Sequence, residues 1–295
     1  MKHFFQRIAD APWIGVWFRA MRRYIEHQSA SQAGSIAFST VIAMFPLLIL
    51  VSAAAAFLGK PGSAAQLVSR VLDYAPALVQ QSIQPVIGEV LGQRSQALLA
   101  VGFFGTLWAA SSGMQAVRTG LNKAYGVNRG LSFWQARLKV TAFTVVVGLG
   151  SLATFSSVVV MPYVWQLVAA TADSPTQAVW LGDGVRYGSA YLVLCVMYAL
   201  IYAWLPDIRQ RLGTVLPGAL IGPVLWLLAA GLLAHVLRAA GKLMLVYGGF
   251  AGVIALLVFL YASAATLLFG AEFNGVLRDR AKARRAGEGV EASQG

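Results

Sequence analysis

The chain has 295 residues, of which 58% are hydrophobic and 12% charged, with a mean hydropathy of +0.67 and a net charge of +12. Soluble domains carry charge on roughly a quarter of their residues, so this composition excludes an ordinary water-soluble globule and points to repeated membrane-spanning segments. The positive charge does not indicate nucleic acid, because basic residues gather at the ends of apolar segments and in alternate loops, where the positive-inside rule and anionic lipids place them.

Residues 1–30 are expected to form a cytoplasmic, interfacial amphipathic helix. Phe4, Ile8, Ile14, Trp17, Phe18, Met21, Tyr24 and Ile25 fall on one side at helical spacing, with Arg19, Arg22, Arg23 and Glu26 largely opposite. No short apolar core with a small-residue cleavage site is seen, so no removable signal peptide is expected.

Residues 31–275 are read as one transmembrane domain with six spans, near Ser35–Leu58, Ala97–Val117, Val140–Val160, Tyr187–Trp204, Thr214–Leu237 and Gly248–Phe269. Lys and Arg number 17 on the side holding both termini and six on the other, which places both termini in the cytoplasm. The largest external piece, 60–96, carries two apolar-periodic runs too short and polar to span, expected as external amphipathic helices. A second external loop is expected over 162–186, around Gly182-Asp183-Gly184. Residues 276–295 are expected to be a disordered basic cytoplasmic tail. The fold class is therefore an all-α integral membrane protein of six transmembrane helices with amphipathic N-terminal and external helices.

Candidate site residues follow from polarity at membrane depth. Ser111, Gln115, Arg118 and Asn122 lie at i, i+4, i+7 and i+11, one helical stripe at the cytoplasmic end of the second span. Lipid would leave such a stripe unsatisfied, so it must face protein or water. Arg118 suits an anionic headgroup; the plainer reading is an interfacial arginine. Glu272 and Asn274 end the last span on the same side, which permits an ion pair of Glu272 with Arg118 in depth. Pro46, Pro217, Pro223 and Gly248 are candidate helix breaks or gates, with packing geometry as the plainer reading. Asp207 and Arg209 read as loop caps. No phosphate-binding glycine loop, H-E-x-x-H or G-x-S-x-G occurs, and His3, His27 and His235 are far apart, so no cofactor, metal site or catalytic constellation is expected. The lone Cys195 sits in an apolar run, so no intramolecular disulfide forms.

SQAGSIAFSTVIAMFPLLIL (31–50), LWAASSGMQAVRTGLNKAYGV (107–127), RGLSFWQARLK (129–139), YAWLPDIRQRLGTVLPGALIGPVLW (202–226) and YGGFAGVIALLVFLYASAATLLFGAEFNGVL (247–277) together resemble the YihY/virulence-factor-BrkB family of bacterial inner-membrane proteins. Phe259 stands where that family has an aromatic, often Trp. The resemblance implies six transmembrane helices, an inner-membrane location and envelope or lipid-related transport. The family's occasional ribonuclease BN label does not fit a chain without metal-ligand spacing. The expected function is movement or accommodation of a lipid-like or anionic amphipathic solute, passive or ion-coupled, with a non-transporting envelope scaffold as the alternative. Expected partners are membrane lipids with anionic cytoplasmic headgroups and no nucleic acid; a homo-oligomer is compatible with the sequence.

Overall fold

Away from water, a backbone can satisfy its N–H and C=O groups only within helices or a closed barrel. The computed structural model takes the helical route. It describes residues 14–58, 96–127, 130–159, 175–239 and 249–291. Among these are seven helices and no strand: α1 (Ile14–Glu26), α2 (Ser29–Leu58), α3 (Gln96–Ala124), α4 (Phe133–Val159), α5 (Pro175–Trp204), α6 (Leu212–Ala239) and α7 (Gly249–Glu291). Two described segments combine the length and the hydropathy needed to cross a membrane: Leu212–Ala239, at mean hydropathy 2.1, and Ala251–Ala283, at 2.3.

Two boundaries differ from expectation. Residues 175–186 belong to α5 rather than to an external loop, with Pro175 at the helix start, where its missing N–H costs nothing. Residues 276–291 continue α7 rather than forming a disordered tail; the Ala, Arg and Lys content of LRDRAKARRA favours helix. Pro46, Pro217 and Pro223 all lie inside continuous helices. The external segment expected over 60–96 lies outside the described residues except for Gln96, and Gly248 and the first thirteen residues lie outside them as well.

The chain divides into two compact units. The first comprises Met1–Ser29, Arg118–Leu225 and Thr266–Gly295. Its core joins Val16 and Ala20 of α1 to Phe273 and Val276 of α7, flanked by Ile221, Phe269 and Leu277. Trp17 packs on Phe269 and Phe273 at ring separations of 5.5 and 5.4 Å. The buried side of α1 is thus its small-residue side, while Trp17, Phe18, Met21 and Ile25 stay 40–66% exposed. Glycine lets α6 and α7 approach closely: a Cβ on Gly218 would lie 2.5 Å from Asn274 Nδ2, and one on Gly270 would lie 3.0 Å from the Gly218 carbonyl oxygen. The Tyr202 hydroxyl of α5 donates to the Leu267 carbonyl at 2.6 Å and ties α5 to α7.

The second unit comprises Ala30–Val117 and Trp226–Ala265. There Trp226 Nε1 donates to Ser263 Oγ at 2.8 Å, and the indole meets the Phe259 ring edge-on at 5.9 Å. A Cβ on Gly105 would touch Pro46 at 3.6 Å, so the small residue of α3 accommodates the proline ring of α2.

Candidate functional site

The polar residues of the first unit gather around two buried carboxylates. The first is Asp207, in the turn after α5 that begins with Leu205 and Pro206. Two features of the chain place donors around it. Arg118 and Asn122 are one turn apart on α3, so both project from one face. The helix then stops two residues past Ala124 on Gly126, at φ 64°, with Val127 N bonded to the Asn122 carbonyl and Gly126 N to that of Lys123. This glycine-capped stop turns the chain back towards α4.

Arg118 holds Asp207 by two points: Nε donates to Oδ1 at 2.9 Å, and Nη2 donates to Oδ2. Asn122 closes a reciprocal pair, its Nδ2 donating to Oδ2 at 3.0 Å and its Oδ1 accepting from the Asp207 amide at 2.8 Å. The Leu131 amide donates to Oδ2 at 3.1 Å, and Lys139 Nζ stands 3.6 Å from Oδ1 while donating to the Pro206 carbonyl at 2.7 Å. The Asp207 side chain is 1% exposed. Burial alone would raise its pKa, but the bonds from Arg118, the Leu131 amide and Asn122, with the Arg118 charge, outweigh it and hold the carboxyl below its ordinary value. Burial and the nearby Arg118 charge lower the Lys139 pKa against the pull of Asp207.

The second carboxylate, Glu272 of α7, is fully buried. His27 Nδ1 lies 2.8 Å from its Oε1, and the Ser29 hydroxyl donates to the same oxygen at 3.1 Å. These two residues flank Gln28, whose φ of 53° makes the corner between α1 and α2. Arg23 Nε stands 3.5 Å from Oε2, which accepts no hydrogen bond from the described residues. Arg23 spends Nη1 on Asp279 at 2.6 Å and Nη2 on the Ala124 carbonyl at 3.1 Å. Two residues along α7, Asn274 accepts from Gly218 N at 2.7 Å and donates to the Val215 carbonyl at 3.0 Å. Pro217 has no N–H to give, and beside it the Asn274 amide bonds the backbone of the same turn of α6, at Gly218 N and the Val215 carbonyl.

Tyr125, in the turn after α3, is buried with its hydroxyl unbonded among the described residues. Burial pushes its pKa up to about 12, although Asn274 and Gln210 lie near enough to favour the charged form. Arg278 sits over its ring, 5.5 Å from the centroid, and donates to its carbonyl at 2.7 Å.

Two cavities open in this unit. One, of about 460 Å³, is lined by Leu131, Lys139, Trp204, Asp207, Ile208 and Arg209 among others. The other, of about 420 Å³, lies between α1 and α7 and is lined by Arg19, Arg22, Arg23, Arg280, Asp279, Val276 and Ala283. Among the described residues no group of three or more His, Cys, Asp or Glu side chains comes together as metal ligands would.

The structure thus brings Arg118 and Asn122 together on Asp207, and it sets Glu272 and Asn274 on separate partners. Arg118 and Glu272 do not pair with each other. Asp207, read as a loop cap, is instead the hub of the Arg118 cluster. Ser111 belongs to the second unit, where its hydroxyl bonds back to the Trp108 carbonyl at 2.9 Å, and Gln115 lies in that unit as well. His27, Asp207 and Arg23 escaped the sequence reading as site residues; for Asp207 the available signal was an acidic residue beside a span end, on the same side as Arg118.

Along α6, Leu216, Leu220, Val224, Leu228, Leu232 and Val236 recur every four residues and remain 44–66% exposed. Each such side chain would lose about 1.5–3 kcal/mol by staying in water, so a lipid surround is what this face requires. The fold is that of an α-helical integral membrane protein. More particularly, the chain belongs to the virulence factor BrkB family, which it matches over residues 20–295. It is 26% identical over 260 residues to a ribonuclease-like protein, YfkH, of Bacillus subtilis (strain 168), covering 88% of this chain and 94% of that one. It is 26% identical over 259 residues to a UPF0761 membrane protein of Halorhodospira halophila, of which it spans 56% of the length. It is 23% identical over 268 residues to the UPF0761 membrane protein MS0032 of Mannheimia succiniciproducens, covering 87% of each. No solved structure matches the chain.

Proposed function

We propose that this is a six-span protein of the bacterial inner membrane, with both termini cytoplasmic, that moves or accommodates a lipid-like or anionic amphipathic solute. The observation that carries the reading is the 460 Å³ cavity, where Lys139 and Arg209 lie beside Trp204, Leu131 and Ile208. Cations and an exposed indole around one opening fit a molecule with a charged head and an apolar body. The topology rests on 17 basic residues against six in the alternating loops. Anionic cytoplasmic headgroups are its partners in this reading, no cofactor is needed, and the chain is not an enzyme; metal-dependent RNA cleavage by the purified protein would overturn that last point.

The test is exchange of labelled lipid in reconstituted vesicles. Acceleration over empty vesicles that falls in Arg209→Gln and Lys139→Gln, with folding intact, supports transport; no acceleration counts against it. Arg118 and Glu272 are poorer probes, because each is locked into a buried network whose loss destabilises the protein.

One observation favours a second reading, a non-transporting scaffold in envelope assembly. The polar side chains at Asp207 and Asn274 are spent on holding helices together. A scaffold would leave lipid exchange at the empty-vesicle rate while deletion of residues 284–295 disturbs envelope assembly.

A further inference from the structure

The cavity between α1 and α7 is a concentration of like charge. Arg19, Arg22, Arg23 and Arg280 line it, with Asp279 as the one acidic member of the lining. Adding the ion-pair partners of the lining, Glu26 at 2.7 Å from Arg22, Glu272 at 3.5 Å from Arg23 and Arg278 at 3.6 Å from Asp279, leaves five guanidinium groups against three carboxylates. Arg19 and Arg280 lie close enough for their charges to repel. An anion seated among the arginines relieves that repulsion, and guanidinium forks match phosphate oxygens in pairs.

The neighbourhood says what kind of anion. Val276 and Ala283 give the cleft an apolar floor. On α1 itself Phe18, Met21 and Ile25 are exposed on the side away from the buried Val16 and Ala20, while Trp17, stacked on Phe269 and Phe273, is 40% exposed. A helix with arginines along a cleft and Phe, Met and Ile left uncovered beside them lies in the headgroup layer with its apolar residues among acyl chains. A water-soluble phosphate would use the arginines and leave those side chains uncovered; a phospholipid satisfies both.

We infer that the α1–α7 cleft is a phospholipid headgroup site selective for a headgroup carrying two negative charges, either two phosphodiesters or one phosphomonoester. The charge excess of two sets the match: a single phosphodiester leaves one guanidinium uncompensated, and a zwitterionic head leaves both. The inference deepens the anionic-headgroup partnership proposed above and does not require that the protein transports anything.

The experiment measures lipid retained by the purified full-length protein in neutral mixed micelles. The ligands are diphosphatidylglycerol, phosphatidic acid, phosphatidylglycerol and phosphatidylcholine, with inorganic phosphate as a soluble control. Tighter retention of diphosphatidylglycerol or phosphatidic acid than of phosphatidylglycerol at equal total charge supports the site, and which of the two is held tells diester from monoester. Each basic residue near an anionic surface contributes about fivefold, so Arg19→Gln with Arg280→Gln should weaken retention about 30-fold. Lys123→Gln, an exposed cation outside the lining, should leave it unchanged. Equal retention of all four lipids, competition by inorganic phosphate at stoichiometric levels, or undiminished binding in the double variant overturns the inference. Should the double variant fail to fold, the wild-type order of lipids alone decides. Lipid selectivity without accelerated exchange in vesicles leaves this site standing while removing the transport reading.

Discussion

Arg118 and Asp207, 89 residues apart in the chain, meet as a two-point ion pair with the Arg118 side chain 7% and the Asp207 side chain 1% exposed. A pair so buried gains little over apolar packing, yet removing one partner leaves a charge that cannot reach water. Asp207→Ala and Arg118→Ala should each lower stability by about 3–5 kcal/mol, and the double variant by much less than their sum. Arg118→Lys should recover only part of the loss, since an ammonium cannot present two parallel donors. Unfolding midpoints in one detergent measure all four; an unchanged midpoint in Asp207→Ala would mean that the pair holds nothing.

Acid should dissolve the same cluster. The folded protein keeps Asp207 ionised below its usual range, so its contribution is complete above the unfolded carboxyl value near ~3.9 and fades as pH falls through the lower folded value. The stability advantage of wild type over Asp207→Asn should therefore be large at neutral pH and shrink steadily under acid. An advantage equal at neutral and at strongly acid pH would show that the charge of Asp207 is irrelevant.

Glycines on α6 should divide by environment. At Gly218 a Cβ would press on Asn274 at 2.5 Å, whereas at Gly231 it meets nothing within 4 Å. Gly218→Ala should separate α6 from α7 and destabilise by about 1–3 kcal/mol, the usual range for overpacking. Gly231→Ala should gain up to about 1 kcal/mol from helix propensity. Thermal midpoints of the two variants should move in opposite directions, and a shift of the same sign in both would contradict the close crossing.

The helical architecture and membrane character were legible because they depend on composition and on local periodicity, and α6 shows both in its fourfold-spaced leucines. Arg118 and Asn122 were legible as a pair because helical geometry fixes what lies one turn apart. Asp207 was not, because its partners come from α3, from the Leu131 amide and from α4, and no periodicity links a short turn to residues 76 or 89 positions earlier. His27 was hidden for the same reason: its partner Glu272 is 245 residues away. The length of α7 was misjudged because charge was taken as disorder, whereas the Ala–Arg–Lys composition that follows Asn274 is itself helix-forming.

His27 and Glu272 fix where α1 docks. Glu272 has no solvent, its Oε1 is shared by His27 and Ser29, and its Oε2 looks to Arg23 across 3.5 Å. In His27→Ala the buried carboxylate keeps only the hydroxyl and a distant guanidinium, a loss of about 1–3 kcal/mol for a charged acceptor deprived of a partner. Most of that loss should appear locally, because α1 is otherwise held by a small core of Val16, Ala20 and the Trp17 stacking contacts, with the Arg23 bonds to Asp279 and the Ala124 carbonyl. Residues 14–28 should become sensitive to protease and exchange their amides faster, while amides of α6 stay protected. Glu272→Gln paired with His27→Ala should restore protection, since a neutral amide needs less than a carboxylate does. If His27→Ala leaves proteolysis of α1 unchanged, the helix is held by its apolar contacts and the Arg23 bonds, and the His27–Glu272 pair is incidental to its docking.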